Sequence, residues 1–180
     1  MIIGLTGENC AGKGTVAEYL RERGFAYLSL SDVLREELSA EGKEITRENL
    51  INKGNALRSK HGPAALAKKT ISRLEPEKDY VIDSIRNAAE AAEIKKLPSA
   101  RLLYISASPE TRFARMKKRK RESDPESFEE FLKTEAREMK NKEADRQSLS
   151  DAFALADRRI VNEGSVEELR DKIELFLKGE

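Results

Sequence analysis

Short apolar segments alternate along the chain with longer amphipathic segments. Three of the short segments, Ile-Ile-Gly-Leu, Tyr-Val-Ile and Leu-Leu-Tyr-Ile, are almost continuously apolar, as is typical of parallel strands covered on both faces. The alternation therefore predicts an α/β fold in which a five-stranded parallel sheet lies between two layers of helices. The predicted strands are Ile2–Thr6, Ala26–Ser29, Tyr80–Asp83, Leu102–Ser106 and Arg159–Asn162.

The amphipathic segments predict the helices of the two outer layers. Val16, Ala17 and Leu20 share one face of the first helix, as the helical period requires. Ser108 and Pro109 provide an N-cap and a first-turn proline for a later helix, and Ser165 caps the last one. The predicted helices are Lys13–Arg23, Asp32–Ser39, Arg47–Lys60, Pro63–Leu74, Pro109–Arg119, Ser127–Lys142 and Ser165–Leu177.

The 180 residues contain no repeat and no low-complexity linker, so residues 1–180 are expected to form a single domain. Two segments are longer than one crossover helix requires, residues 35–75 and residues 115–145. Both follow the carboxyl end of a predicted strand, where open α/β sheets bind ligands. The two segments are therefore predicted to be insertions that close over a ligand.

Composition and charge narrow the classes of function. The 34 basic and 33 acidic residues nearly balance, so no overall field directs the chain to nucleic acid or to a membrane. The single cysteine, Cys10, excludes an internal disulfide and suits a reducing, cytoplasmic location. The apolar segment Met1–Leu5 is too short for a signal peptide or a membrane span.

The sequence TGENCAGKGTV at residues 6–16 joins the first predicted strand to the first predicted helix. Its spacing, Gly7-x4-Gly12-Lys13, is that of a phosphate-binding loop, in which backbone N–H groups and the helix N-terminus surround an anion. The lysine reaches the β- and γ-phosphates. The residues predicted to bind the phosphates of ATP are Gly7, Cys10, Ala11, Gly12, Lys13, Gly14 and Thr15.

Gly14 stands where such loops usually carry the serine or threonine that coordinates magnesium. The nearest hydroxyl, on Thr15, lies roughly 100° further around the helix, which puts direct ligation by Thr15 in doubt. We therefore expect Mg²⁺ to be held through water by Asp83, at the end of the third strand. Glu8 is an acidic group beside a polyanion, and its side chain is expected to point outward.

An aspartate lies just beyond the second predicted strand and another ends the third, and an arginine follows each aspartate three residues later. Asp32 and Arg35 lie in SLSDVLRE, and Asp83 and Arg86 lie in VIDSIRN. These motifs are similar to the Asp-x-Leu-Arg and Asp-Gly-x-Pro-Arg motifs of nucleoside monophosphate (NMP) kinases, with Ser84 in place of the glycine. The resemblance implies acceptor binding by Asp32, Arg35, Arg86 and, from the segment between them, Arg58.

The basic segment TRFARMKKRKRES after the fourth strand admits two interpretations. In NMP kinases this position begins a lid whose arginines close over the donor phosphates, which implies that role for Arg115, Arg119 and Arg121, with Arg137 a weaker candidate. A nucleic-acid patch is the alternative. No aromatic platform is interleaved with the basic residues, so the lid is the favoured interpretation.

Further motifs connect the whole chain to P-loop kinases. GKGT resembles the adenylate kinase branch, and LADRRIVNEGSVEEL at residues 155–169 resembles the end of dephospho-CoA kinase. SDVLREEL, GNALRSKHGP and DSIRNAAE resemble small archaeal adenylate-kinase-related proteins. The resemblance implies a three-layer P-loop kinase fold with an NMP-binding insertion and a lid, and a turn at residues 162–164 near the donor base.

The leading hypothesis is an ATP- and Mg²⁺-dependent phosphotransferase acting on a small phosphorylated acceptor, above all a nucleoside or deoxynucleoside monophosphate. Lys13, Arg86, Arg115, Arg119 and Arg121 are its predicted catalytic residues. Dephospho-CoA kinase is the first alternative, and a nucleotide-binding ATPase that is not a kinase is the second. The protein is expected to be a monomer or a homodimer that binds small nucleotides. It is not expected to bind nucleic acid or membranes.

Overall fold

A computed structural model describes residues 1–119, 125–139 and 149–179. Five parallel strands in this part of the chain form one sheet in the order β2-β3-β1-β4-β5. The predicted P-loop kinase fold, with a parallel sheet flanked by helices, is confirmed. The strands are β1 (Ile2–Gly7), β2 (Ala26–Ser29), β3 (Tyr80–Asp83), β4 (Ala100–Ser106) and β5 (Arg158–Val161).

The central strand β1 pairs with β3 on one side and with β4 on the other. Gly7 at its carboxyl end is in register with Ile105, and Ser29 on β2 is in register with Asp83 on β3. Because all strands are parallel, the residues that follow β1, β3 and β4 meet at one edge of the sheet. The phosphate loop therefore lies between the segments that follow β3 and β4.

Helices cover both faces of the sheet. Val16 and Leu20 of α1 pack with Ile173 and Phe176 of α9 against one face. The opposite face carries residues of α2, α3, α4, α5 and α8. The helices of the described residues are α1 (Lys13–Glu22), α2 (Leu30–Ala40), α3 (Arg47–His61), α4 (Ala65–Ile71), α5 (Ala88–Lys95), α6 (Pro109–Arg119), α7 (Phe128–Met139), α8 (Leu149–Ala154) and α9 (Val166–Lys178).

The predicted caps are present. The Ser165 hydroxyl accepts a hydrogen bond from the N–H of Glu168, and the Ser108 hydroxyl accepts one from the N–H of Thr111. Each satisfies a backbone donor that has no partner within its helix. Most predicted boundaries differ from the observed ones by one or two residues, and α4 ends at Ile71, three residues before its predicted end.

Two helices, α5 and α8, were not predicted from the sequence. The helix α5 reads Ala-Ala-Glu-Ala-Ala-Glu-Ile-Lys and buries Glu90 together with Ala91 and Ile94. A buried glutamate interrupts the apolar stripe by which an amphipathic helix is recognised. Six residues of α8 are too few to show a helical period.

The predicted insertions contain helices in the described part of the chain. The helices α3 and α4 lie within residues 35–75, while α7 and the end of α6 lie within residues 115–145. Among the described residues, no helix has both the length and the apolar character that a membrane span needs.

Candidate active site

The phosphate loop is the turn between β1 and α1. Gly7 and Gly12 have φ values of +146° and +111°, and Cys10 has a φ of +61°. The Nζ atom of Lys13 donates hydrogen bonds to the carbonyl oxygens of Gly7 and Glu8, both at 2.8 Å. The lysine thus folds back over the loop, and the backbone N–H groups at the start of α1 are oriented as an anion site requires.

Two glycines of the loop are required by close neighbours. A Cβ atom at Gly7 would lie 2.1 Å from the carbonyl oxygen of Ile105, and one at Gly12 would lie 2.3 Å from Nδ2 of Asn162. The buried Asn162 side chain donates a hydrogen bond of 2.8 Å to the carbonyl oxygen of Ala11. The residue after β5 therefore braces the loop. The position of this turn near the donor base, which the family resemblance implies, stays a prediction.

Gly14 is different, because its missing side chain is not explained by lack of space. A Cβ atom there would meet no atom within 4 Å, and the residue is exposed in the first turn of α1. Thr15 is half-buried in the same turn. Neither steric crowding nor a positive φ thus excludes a serine or threonine at position 14.

The Lys13 amine is buried and interacts electrostatically with charged groups from both the loop and the segment after β3. Burial lowers the pKa of its amine to about 8, with Arg86 lowering it further, while Asp83 and Glu8 oppose the effect. The amine therefore lies within electrostatic range of groups that follow β3 and of a group in the loop itself. A bound phosphate would raise this pKa again, since an opposite charge favours the charged amine.

Asp83, the last residue of β3, has one carboxylate oxygen without a hydrogen-bond partner among the described residues. The Tyr27 hydroxyl donates a hydrogen bond of 3.4 Å to Oδ2, whereas Oδ1 is buried without a hydrogen-bond partner among the described residues. A buried, unpartnered carboxylate oxygen near the phosphate loop fits a water-mediated Mg²⁺ site. No ready cluster of three or more His, Cys, Asp or Glu side chains was found in the described residues, so the phosphates of the nucleotide would have to supply further ligands.

The segment after β3 is held in an uncommon backbone conformation. Ser84 has a φ of +67°, in the left-handed region that favours glycine, which is the residue of the similar NMP kinase motif. Its hydroxyl lies 3.0 Å from that of Ser29, and Thr6 donates a hydrogen bond of 3.1 Å to the carbonyl oxygen of Ile85. These bonds tie the segment that carries Arg86 to β1 and β2.

Arg86 and Arg58 share a buried carboxylate, that of Glu90. The N–H of Arg86 donates to Oε2 of Glu90 at 2.9 Å, while Nε and Nη2 of Arg58 donate to Oε1 at 2.9 and 2.8 Å. Arg58 is 2% exposed and Glu90 is fully buried. The charge of Arg58 is thus matched inside the protein, and its role in acceptor binding stays a prediction that would require this ion pair to open.

Asp32 and Arg35 lie one turn apart on α2. They form an ion pair of 2.7 Å, and the side chain of each is nearly half exposed. Because β3 lies between β2 and β1 in the sheet, the segment that carries Arg86 separates this pair from the loop. The structure therefore brings Arg86 close to Lys13 and leaves Arg35 at the outer side of the site.

The helix α6 carries two of the predicted lid arginines to the phosphate loop. Nη1 of Arg115 lies 3.4 Å from the carbonyl oxygen of Ala11, and Nη1 of Arg119 lies 3.4 Å from Oδ1 of Asn9. Arg121 lies outside the described residues, as does the side chain of Arg137. Two cationic side chains thus face the loop from the β4 side of the sheet.

Arg112 has a structural role that the sequence did not reveal. Its Nε donates to the carbonyl oxygen of Ala107 at 2.9 Å, its guanidinium pairs with Glu135 of α7, and it is 4% exposed. This buried pair joins α7 to the base of α6. The arginines of the basic segment therefore divide into Arg112, which holds the helices together, and Arg115 and Arg119, which contact the loop.

The expectation that Glu8 points outward is wrong. Its Oε1 accepts a hydrogen bond of 2.5 Å from the Tyr104 hydroxyl, and its Oε2 is buried with no partner among the described residues. The Tyr104 ring stacks on that of Phe153 with 4.1 Å between centroids. The Glu8 carboxylate thus points inward beside the loop. Its partner, Tyr104, lies 96 residues later in the sequence, so no local pattern around Glu8 indicates this orientation.

Comparisons with known proteins agree with this geometry. A family profile described as AAA domain matches residues 6–133, a range that contains the phosphate loop. A UPF0200 protein of Sulfurisphaera tokodaii is 33% identical over 177 residues, which cover 98% of this chain and 96% of that protein. The UPF0200 protein MJ1399 of Methanocaldococcus jannaschii is 34% identical over 99% of this chain and 89% of its own length.

Solved structures show the same fold. TT1252 from Thermus thermophilus has a TM-score of 0.63 and 25% identity, covering 99% of this chain and 97% of that one. Shikimate kinase from Aquifex aeolicus has a TM-score of 0.59 and 20% identity over the same shares of both chains. With its phosphate loop, P-loop kinase fold and full-length relatives, this chain belongs to the AAA-domain family and to the UPF0200 proteins.

Proposed function

We propose that the protein transfers the γ-phosphoryl group of ATP to a small phosphorylated acceptor. The observation that carries this proposal is the set of groups around the Lys13 amine, where Asp83 and Arg86 act from the β3 side while Arg115 and Arg119 contact the loop from the β4 side. Cations on both sides of a transferred phosphoryl group stabilise the charge that develops on its oxygens.

Each group has a role in this reaction. The loop amides and Lys13 would bind the β- and γ-phosphates, and Asp83 would hold Mg²⁺ through water. The ion would neutralise charge on the phosphates. Arg115 and Arg119 would follow the γ-phosphoryl group during transfer, since guanidinium forks suit spread negative charge.

The acceptor would be held on the β3 side. Arg86 is half-buried and close to Lys13, and Arg35 lies further out on α2 beside Asp32. A phosphate gripped by these arginines fits a nucleoside or deoxynucleoside monophosphate, in which that phosphate reacts. It also fits dephospho-CoA, whose phosphates serve as a handle while a ribose hydroxyl reacts, and the inward carboxylate of Glu8 is the observation that favours this second candidate.

The test is a panel of acceptors. Purified protein and Mg-ATP are incubated with each NMP, each dNMP and dephospho-CoA, and products are separated by ion-exchange chromatography. We expect one acceptor class to gain a phosphoryl group with equal release of ADP. ATP hydrolysis that DNA or RNA stimulates, without any phosphorylated small product, would instead support a non-kinase ATPase.

Arg86→Ala tests the acceptor assignment within the same assay. Transfer should fall by about 10²–10³, as for loss of one group that stabilises transition-state charge, while ATP affinity stays within about twofold. Arg21→Ala, at an exposed position of α1, is the matched control and should leave both values unchanged. Equal loss of ATP binding and transfer in Arg86→Ala would contradict the role of Arg86.

A further inference from the structure

Glu8 places a carboxylate where a polyanion is to bind. Its backbone carbonyl accepts a hydrogen bond from the Lys13 amine, and its side chain lies within electrostatic range of that amine. The Lys13 amine is the group that reaches the β- and γ-phosphates. The Glu8 carboxylate is therefore near the position of the transferred phosphoryl group.

The orientation of this carboxylate is fixed on one side only. The Tyr104 hydroxyl of β4 donates a hydrogen bond to Oε1, and the Tyr104 ring is held by its stacking on Phe153 of α8. Burial and the contact with Glu8 raise the pKa of Tyr104, so the phenol stays protonated and acts as a hydrogen-bond donor. Oε2 is buried and lacks a donor in the described part of the chain.

A carboxylate oxygen buried without a donor is costly, and a bound polyanion nearby adds repulsion. Among the described residues, Lys13 of α1 and Arg112 of α6 lie within electrostatic range of Glu8, and the neutral Tyr104 of β4 contacts it. Lys13 is committed to the phosphates, and Arg112 is paired with Glu135. A bound substrate with an O–H group would supply the donor that Oε2 lacks among the described residues.

The two acceptor classes of the proposed function differ in this respect. The phosphate of a monophosphate is mostly ionised at neutral pH, since its second pKa is about 6, and it would present negative charge to Glu8. An alcohol presents an O–H group. Its oxygen also needs a base during attack, which an ionised phosphate oxygen does not.

We propose that the acceptor reacts through a hydroxyl oxygen and that Oε2 of Glu8 is the base that takes its proton. This inference rests on the proposed ATP-dependent transfer. The acceptor oxygen forms a bond to the γ-phosphorus, the bond between that phosphorus and the β–γ bridging oxygen breaks, and ADP leaves. The hydroxyl proton passes to Glu8 and from there to solvent.

The acceptor is thus a small molecule with two features, an anionic group for Arg86 and Arg35 and an alcohol near Glu8. Glu8 lies on the β4 side of the loop, and Arg86 follows β3 on the other side of β1. The reacting hydroxyl and the anionic group would therefore be separate parts of the acceptor. Dephospho-CoA has this chemistry, and a monophosphate reacting at its own phosphate does not.

The linkage of the product tests the inference directly. The ³¹P NMR spectrum of the purified product should show a new phosphomonoester resonance that is not coupled to any other phosphorus. A nucleoside diphosphate product would overturn the role of Glu8 while leaving the proposed transfer intact. Failure of every acceptor, together with failure to bind or hydrolyse ATP, would instead refute the proposed function itself.

Glu8→Gln tests the base. Glutamine keeps the shape and an oxygen for Tyr104 but does not take up a proton, so kcat should fall by about 10²–10⁴. The Kd of Mg-ATP should stay equal or become lower, because a negative charge is removed. Glu18→Gln, at an exposed position of α1, is the matched control and should behave as the unchanged protein.

Two other results would overturn the inference. A kcat within threefold of the unchanged protein excludes Glu8 as the base, and a parallel loss of Mg-ATP affinity indicates a cation ligand. If ATP is bound but no acceptor of the panel reacts, slow hydrolysis provides the same test because water takes the place of the alcohol. Hydrolysis should then fall in Glu8→Gln, and unchanged hydrolysis would reject the proposal.

Discussion

Binding of ATP should depend on pH through Lys13. Burial lowers the pKa of this amine to about 8, and only the charged amine attracts the phosphates. A base with this pKa is about 90% protonated at pH 7 and about 10% protonated at pH 9. The apparent affinity for ATP should therefore fall about tenfold between these two pH values.

The fall in affinity has a thermodynamic counterpart in proton uptake. A nearby polyanion raises the pKa of Lys13, so the bound amine is charged at pH 9 as well. Binding should take up about 0.1 proton at pH 7 and about 0.9 proton at pH 9. Isothermal titration calorimetry at pH 9, in two buffers with different heats of ionisation, measures this number directly.

Two variants separate Lys13 from other groups that titrate in this range. Lys13→Arg keeps its charge above pH 9, so its affinity should be lower overall but nearly independent of pH. Cys10→Ser removes the thiol of the loop and should retain the full pH dependence. A flat affinity between pH 7 and pH 9, or a flat profile in Cys10→Ser, would refute the assignment to Lys13.

Three further predictions concern stability, each measured by urea denaturation. Gly14→Ala should stabilise the protein by about 0.5–1 kcal/mol because the site is helical and open, and no gain would contradict that description. Glu90→Ala should cost about 3–5 kcal/mol by leaving Arg58 buried and unpaired, and a double replacement of Arg58 and Glu90 by leucine should recover much of that loss. Ser84→Gly should be more stable than Ser84→Ala by about 1–2 kcal/mol, since both lack the hydroxyl and only alanine opposes a φ of +67°.

The strands and the phosphate loop could be predicted because their signals are local. A buried parallel strand is a short apolar segment, and a loop that wraps phosphate needs glycine at fixed spacing. Gly7 shows the reason for that spacing, since a side chain there would strike the backbone of β4. Sequence neighbours alone were enough to place these elements.

The missed features depend on partners that are distant in sequence. Glu90 of α5 is buried because Arg58, 32 residues earlier, neutralises its charge. Since the inner face of α5 carries this charge, the sequence does not show the apolar stripe of a buried helix. Arg58 itself looked like a surface arginine available to an acceptor. No local pattern reports that two charges will meet inside the protein.

Gly14 and Glu8 are the two departures of this loop from the usual pattern, and the structure gives them opposite explanations. Gly14 has open space around it, so the fold does not require a residue without a side chain at this position. Glu8 is held by Tyr104, which Phe153 supports, although a carboxylate beside a phosphate site is unfavourable. Because this position of the Glu8 carboxylate is electrostatically unfavourable, a role in the reaction explains it better than a role in folding. A hydroxyl acceptor supplies the hydrogen-bond donor that Glu8 Oε2 lacks.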